Sequence, residues 1–160
     1  MISKKVCMLG AFAVGKTSLV ARFVTSMFSD KYHTTVGVKV DKKELEVDGQ
    51  PVKMMLWDLA GKDDFTAIPT SYLKGMSGYL LVVDSTRAAT LSVALEVRQT
   101  VERELGELPC ILLVNKIDLT DDYDLDQPML ESLNCPLGRT SCKTGEGVEE
   151  AFLSLARAML

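Results

Sequence analysis

Two short runs carry residues whose types and spacing suit chemistry. Gly10-Ala11-Phe12-Ala13-Val14-Gly15-Lys16-Thr17 fits G-x-x-x-x-G-K-[ST], the pattern of a loop that cradles phosphates. Gly10 and Gly15 let the backbone curl so that its N–H groups face an anion. A helix that follows presents its positive dipole end to the same anion. Lys16 is suited to neutralise β- and γ-phosphate charge, and Thr17 offers a hydroxyl to Mg²⁺. Ala13, Val14, Gly15, Lys16, Thr17 and Ser18 are therefore the candidate phosphate contacts. The competing reading is a glycine-containing turn with an exposed lysine. The second run is Asn115-Lys116-Ile117-Asp118. Asp118 is suited to accept two hydrogen bonds from the N1–H and exocyclic amine of guanine, a donor pair that adenine lacks. Asn115 and the stem of Lys116 would brace the base and its loop. Alone, such a run is also compatible with a solvated loop.

The elements around these runs have the arrangement they need. Val6 to Leu9 is apolar and reads as a buried strand ending at Gly10, and residues 16–26 read as a helix. Residues 38–47 and 51–58 are extended runs joined by Asp48-Gly49-Gln50, a hairpin signal. Leu80 to Val83 and Cys110 to Val114 are continuous apolar runs, as expected of strands covered on both faces. Helical periodicity marks residues 91–105 and 148–159, with Glu96, Glu102 and Glu104 on the solvated side. A further short helix is expected near Pro128. Strands alternating with helices predict an α/β fold, a mostly parallel sheet with helices on both faces. Ligands of such folds sit at the carboxyl ends of strands, where Gly10, Asp58, Asp84 and Asn115 fall.

Composition narrows the function classes. The chain has 160 residues, 47% hydrophobic and 25% charged, with a net charge of −4. That is the profile of one globular domain spanning 1–160. The acidic balance argues against a nucleic-acid partner, which needs a clustered basic face. Cys7, Cys110, Cys135 and Cys142 form no C-x-x-C pair and His33 is the single histidine, which argues against zinc. Scattered cysteines read as reduced, and no apolar run has the length of a membrane span. Residue 2 is Ile2 rather than the glycine of myristoylation, and Leu155 to Leu160 hold no cysteine for prenylation. The expectation is a soluble, cytoplasmic monomer with no lipid anchor in view.

With both motifs in order, the chain resembles the Ras superfamily of small GTPases and looks closest to the Rab branch. Thr35-Val36-Gly37 looks like the first switch and Trp57-Asp58-Leu59-Ala60-Gly61 like the second. Ser71-Tyr72, Lys74-Gly75 and Leu80 to Asp84 continue in Rab-like style. Thr140-Ser141-Cys142-Lys143 looks like the last guanine loop, with Cys142 where alanine is usual. The resemblance implies a six-stranded P-loop fold, GTP and GDP as ligands, Mg²⁺, and the reaction GTP + H₂O → GDP + phosphate. It implies that Thr35 ligates Mg²⁺ in the GTP state and that Asp58 holds the ion through water. The Gly61 N–H would contact the γ-phosphate. Phe28 would pack on the guanine edge, Tyr32 would cover the phosphates, and the backbone of Ser141, Cys142 and Lys143 would meet the guanine carbonyl. Loss of the γ-phosphate would release both switches. Effector, exchange-factor and activating proteins would bind around 30–42 and 59–75.

Two positions depart from the pattern. The family places Gln after the Ala-Gly of the second switch, to orient the attacking water. Here Lys62 stands there, followed by Asp63-Asp64. An ammonium donates but cannot accept, so it lacks the amide's two-sided grip. It could stabilise transition-state charge, pair with Asp63 or Asp64, or lie in a solvated charge cluster. Phe12 stands where the family carries a small residue near the γ-phosphate. It would obstruct an arginine finger, or turn outward and pack on the switches. The expectation is a switch with slow intrinsic hydrolysis. The alternatives are an essentially non-hydrolysing, GTP-bound interaction module and a P-loop kinase or ATPase, which would bind ATP. Asp121, Asp122, Asp124 and Asp126 read as a solvated acidic loop, without the Gly and Glu of a calcium loop.

Overall fold

A computed structural model describes residues 1–25, 38–59 and 70–160. Strands β1 (Ile2–Gly10), β2 (Val38–Val47), β3 (Gln50–Leu59), β4 (Gly78–Asp84), β5 (Cys110–Asn115) and β6 (Leu137–Arg139) form one sheet. Their order is β2-β3-β1-β4-β5-β6. Among the described residues only the β2–β3 pair is antiparallel, and it closes over the two residues Asp48 and Gly49. Both have positive φ, 51° and 84°, which is what a two-residue hairpin matched to strand twist requires. Every other pairing is parallel.

The apolar runs are continuous because both sheet faces are covered. Along β1, Val6 and Met8 belong to one buried cluster while Cys7 and Leu9 belong to the other, as side-chain alternation demands. On the first face, α1 (Lys16–Thr25) and α4 (Val148–Met159) bring Leu19, Phe23, Phe152 and Leu155 onto Met54, Leu80 and Leu113. Phe23 and Phe152 stack with ring centroids 4.1 Å apart. On the second, α2 (Ala89–Leu105) and α3 (Gln127–Ser132) place Leu91, Ala94, Val97 and Leu130 on Leu81, Val83 and Leu112. Asp126 caps α3, its carboxylate accepting from the Met129 N–H at 3.1 Å, with Pro128 in the first turn.

Register aligns the strand ends that matter. Gly10 pairs with Val82 and Asp84 with Asn115, so β1, β4 and β5 finish side by side. β3 brings Asp58 opposite Met8, two residues before the end of β1. Among the described residues no helix is long and apolar enough to cross a membrane.

Candidate functional site

The loop of residues 11–15 leaves β1 at Gly10 and enters α1 at Lys16. Its glycines are required by space as well as by φ. Gly10 has φ +147°, and a Cβ there would come within 2.5 Å of the Val82 carbonyl oxygen. Gly15 has φ +105°, and a Cβ there would run into the Asn115 carboxamide. Ala13 takes a left-handed φ of 63° without being glycine, a conformation held only where neighbours fix it.

Lys16 is 6% exposed and its ammonium donates to the carbonyls of Gly10 (2.8 Å) and Ala11 (3.1 Å). Burial lowers its pKa to about 8, against the opposing pull of Asp58. A buried cation at the mouth of such a loop is a site for an anion. Beside it the Thr17 hydroxyl donates to Asp58 Oδ2 at 2.5 Å, and Asp58 is 1% exposed. A hydroxyl and a carboxylate are hard oxygen donors, the set that Mg²⁺ takes, so these two side chains fit that ion.

The second motif closes the other side. Asn115 donates to the Val14 carbonyl (2.9 Å) and accepts from the Thr140 hydroxyl (3.1 Å). The Lys116 ammonium donates to the Ala13 carbonyl (3.1 Å) and to Asp84 Oδ2 (2.8 Å). Burial alone would raise the pKa of Asp84. Hydrogen bonds from Lys116 and from Thr86 outweigh that and hold it below the usual carboxylate value. Asp118 is exposed at the rim, with Oδ1 accepting from the Ser141 hydroxyl at 2.8 Å. The same Ser141 oxygen accepts from the Thr144 N–H.

Gly15, Ser18, Asn115, Lys116, Asp118, Leu119, Cys142 and Lys143 thus line one cleft of about 230 Å³. The Cys142 thiol is buried; desolvation pushes its pKa up to about 11, and its contact with Asn115 opposes that only in part. It packs against Asn115 within the cleft.

The structure therefore brings together Ala13, Val14, Gly15, Lys16, Thr17, Ser18, Asp58, Asn115, Lys116, Asp118, Ser141, Cys142 and Lys143. Phe28, Tyr32, Thr35, Gly61 and Lys62 lie outside the described residues. Phe12 is 39% exposed. The acidic residues 121, 122, 124 and 126 are exposed as expected, and among the described residues no carboxylate, thiol and imidazole cluster could hold a metal. Two arginines escaped the sequence reading. Arg22 Nη2 donates to the Thr144 carbonyl (3.1 Å), and Arg87 Nη1 donates to that of Phe12 (3.0 Å). Their acceptors are backbone oxygens, which leave no mark in a sequence.

Comparison with known proteins agrees with this geometry. Residues 5–160 match the model of the Ras family. The GTP-binding protein ypt1 of Schizosaccharomyces pombe is 34% identical over 158 residues, covering 96% of this chain and 78% of that protein. The Ras-related protein Rab-1C of Dictyostelium discoideum is 32% identical, covering 95% and 78%. The GTP-binding protein yptV2 of Volvox carteri is also 32% identical, covering 98% and 75%.

Proposed function

The chain belongs to the Ras family as a Rab-like small GTPase, and we propose that it is a guanine-nucleotide switch whose own hydrolysis of GTP is slow. The Asn115 bond to the Val14 carbonyl carries the nucleotide reading, because it fixes the base cleft against the phosphate loop. We read residues 1–160 as one domain. Asp118 selects guanine, while the Ser141 to Lys143 loop meets its carbonyl oxygen and Phe28 its edge. Lys16 exchanges the Gly10 and Ala11 carbonyls for phosphate oxygens. Thr17 would hold Mg²⁺ by its hydroxyl and Asp58 through water, joined by Thr35 in the GTP state. When bound, the ion would supply positive charge to the phosphates. Tyr32 covers the phosphates, and the Gly61 N–H reads the γ-phosphate.

Slow hydrolysis follows from Lys62. An attacking water needs an acceptor and a donor to orient it, and an ammonium has no acceptor. Phe12 adds bulk where an activating partner's arginine would approach. Partners reach the molecule through the switches. Val40 on edge strand β2 and Tyr72 are exposed within those segments.

Single-turnover GTP hydrolysis tests the proposal. The wild type is expected to be slow, Lys62→Gln faster, and Phe12→Gly more responsive to an activating partner. Fast wild-type turnover that Lys62→Gln does not improve sinks it. The exposed Phe12 ring favours a second reading, a module that stays GTP-bound. Nucleotide released by denaturing the purified protein separates the two: GTP alone supports the module, GDP the cycling switch.

A further inference from the structure

Three consecutive carbonyls of the phosphate loop are each held by residues at or just past the ends of β4 and β5. Arg87 holds that of Phe12 at 3.0 Å, Lys116 that of Ala13 at 3.1 Å and Asn115 that of Val14 at 2.9 Å. In a planar trans peptide the C=O and the following N–H point in opposite directions. Drawing these carbonyls toward β4 and β5 therefore turns the N–H groups of Ala13, Val14 and Gly15 away from them. Lys116 and Asn115 belong to the guanine motif. Arg87 belongs to no motif.

We propose that Arg87 is a positioning residue for phosphate binding: by holding the Phe12 carbonyl it aims the Ala13 N–H at the nucleotide's phosphates. Three observations support this. Ala13 keeps a left-handed φ of 63°, so the peptides on both sides of its Cα need external anchors. Arg87 anchors the one before it and Lys116 the one after. Second, the two cations share a buried partner. Asp84 lies 2.8 Å from the Lys116 ammonium and 3.8 Å from Arg87 Nη1, with its side chain 1% exposed. One carboxylate thereby sets both anchors before any ligand arrives. Third, Arg87 is fixed at its base, its N–H donating to the Asp84 carbonyl at 3.1 Å and its own carbonyl accepting from the Thr90 hydroxyl at 2.7 Å. The guanidinium thus projects from a rigid turn, and its Nη1 faces both the Phe12 carbonyl at 3.0 Å and the Asp84 carboxylate at 3.8 Å.

The inference rests on the phosphate reading of this loop, and the test keeps the two apart. GDP and guanosine are titrated against wild type, Arg87→Ala and Arg87→Lys, each stripped of nucleotide, and the Ala13 amide is followed by ¹H–¹⁵N NMR. Removing one charge-assisted hydrogen bond at a solvent-accessible site is expected to weaken GDP about 5- to 10-fold in Arg87→Ala. Guanosine affinity is expected to stay unchanged, the GDP-induced shift of the Ala13 amide to shrink, and Arg87→Lys to recover most of the GDP affinity. Unchanged GDP affinity in Arg87→Ala overturns the proposal. So does a proportional loss for guanosine, which marks a merely structural role. Wild-type protein that binds guanosine as tightly as GDP overturns the phosphate reading, and this inference with it.

Discussion

Asn115 and Val14 are 101 residues apart in the chain, yet the Asn115 carboxamide donates to the Val14 carbonyl at 2.9 Å. Asn115 is 1% exposed, and its oxygen takes the Thr140 hydroxyl. Asn115→Ala strands a buried acceptor and a buried donor together. The expected cost is about 2–3 kcal/mol of folding stability, with faster GDP release. Urea denaturation and a GDP chase measure both. A variant as stable as wild type would show that neither partner depends on the carboxamide.

Ser141 works on the base side. Its hydroxyl donates to Asp118 Oδ1 at 2.8 Å and so restrains the carboxylate proposed to select guanine. Asp118 is exposed, so the bond orders a ligand group more than it stabilises the fold. Ser141→Ala is expected to weaken GDP binding by about 1 kcal/mol, roughly 5-fold, with little change in melting temperature. Titration calorimetry beside a thermal melt checks this. A large stability loss with unchanged affinity would reverse the assignment.

The four cysteines should differ in reactivity. Burial pushes the thiols of Cys7 to about 12 and Cys142 to about 11. Cys135 is only half-buried, and the neighbouring Cys110 thiol holds its pKa below the ordinary value. The thiolate is the nucleophile, so Cys135 is expected to react first with iodoacetamide at neutral pH. Cys7 and Cys142 are expected to stay unlabelled until the protein unfolds. Peptide mass spectrometry over a time course gives the order, and early labelling of Cys142 would contradict its place in the packed cleft.

How far the sequence foretold these contacts depends on the kind of group involved. Gly10 to Thr17 and Asn115 to Asp118 were legible because the chemistry fixes side-chain type and spacing together. The cores of β4 and β5 were legible because a strand covered on both faces must be apolar throughout. The first half of β1 was not, since Ile2 is followed by three polar residues, Ser3, Lys4 and Lys5. There the Lys5 ammonium lies 3.8 Å over the Trp57 ring, a contact made only after β1 pairs with β3. β6 is three residues long and largely exposed, too short to show a period. Arg22 and Arg87 were invisible because they bond to carbonyls, which every residue has.

Asp84 joins stability to pH. Its folded pKa is held below the unfolded value of 3.8, because Lys116 and Thr86 favour the ionised form despite burial. The native state therefore binds fewer protons than the unfolded chain in that range. The carboxylate's contribution is fully present above about pH 3.8 and is lost as pH falls through the lower folded value. Asp84→Asn keeps the shape but leaves the Lys116 ammonium, itself partly exposed, without its anion. At neutral pH this is expected to cost about 2 kcal/mol, less than a fully buried pair because water reaches Lys116. The difference from wild type should persist down to about pH 4 and narrow below it. Urea midpoints at pH 7, 5 and 3.5 test this, the pH values being chosen around the carboxylate range. A gap that stays constant across all three would mean that shape, not charge, is what Asp84 supplies. The same substitution removes the anion shared by Lys116 and Arg87, so GDP affinity should fall with stability at pH 7.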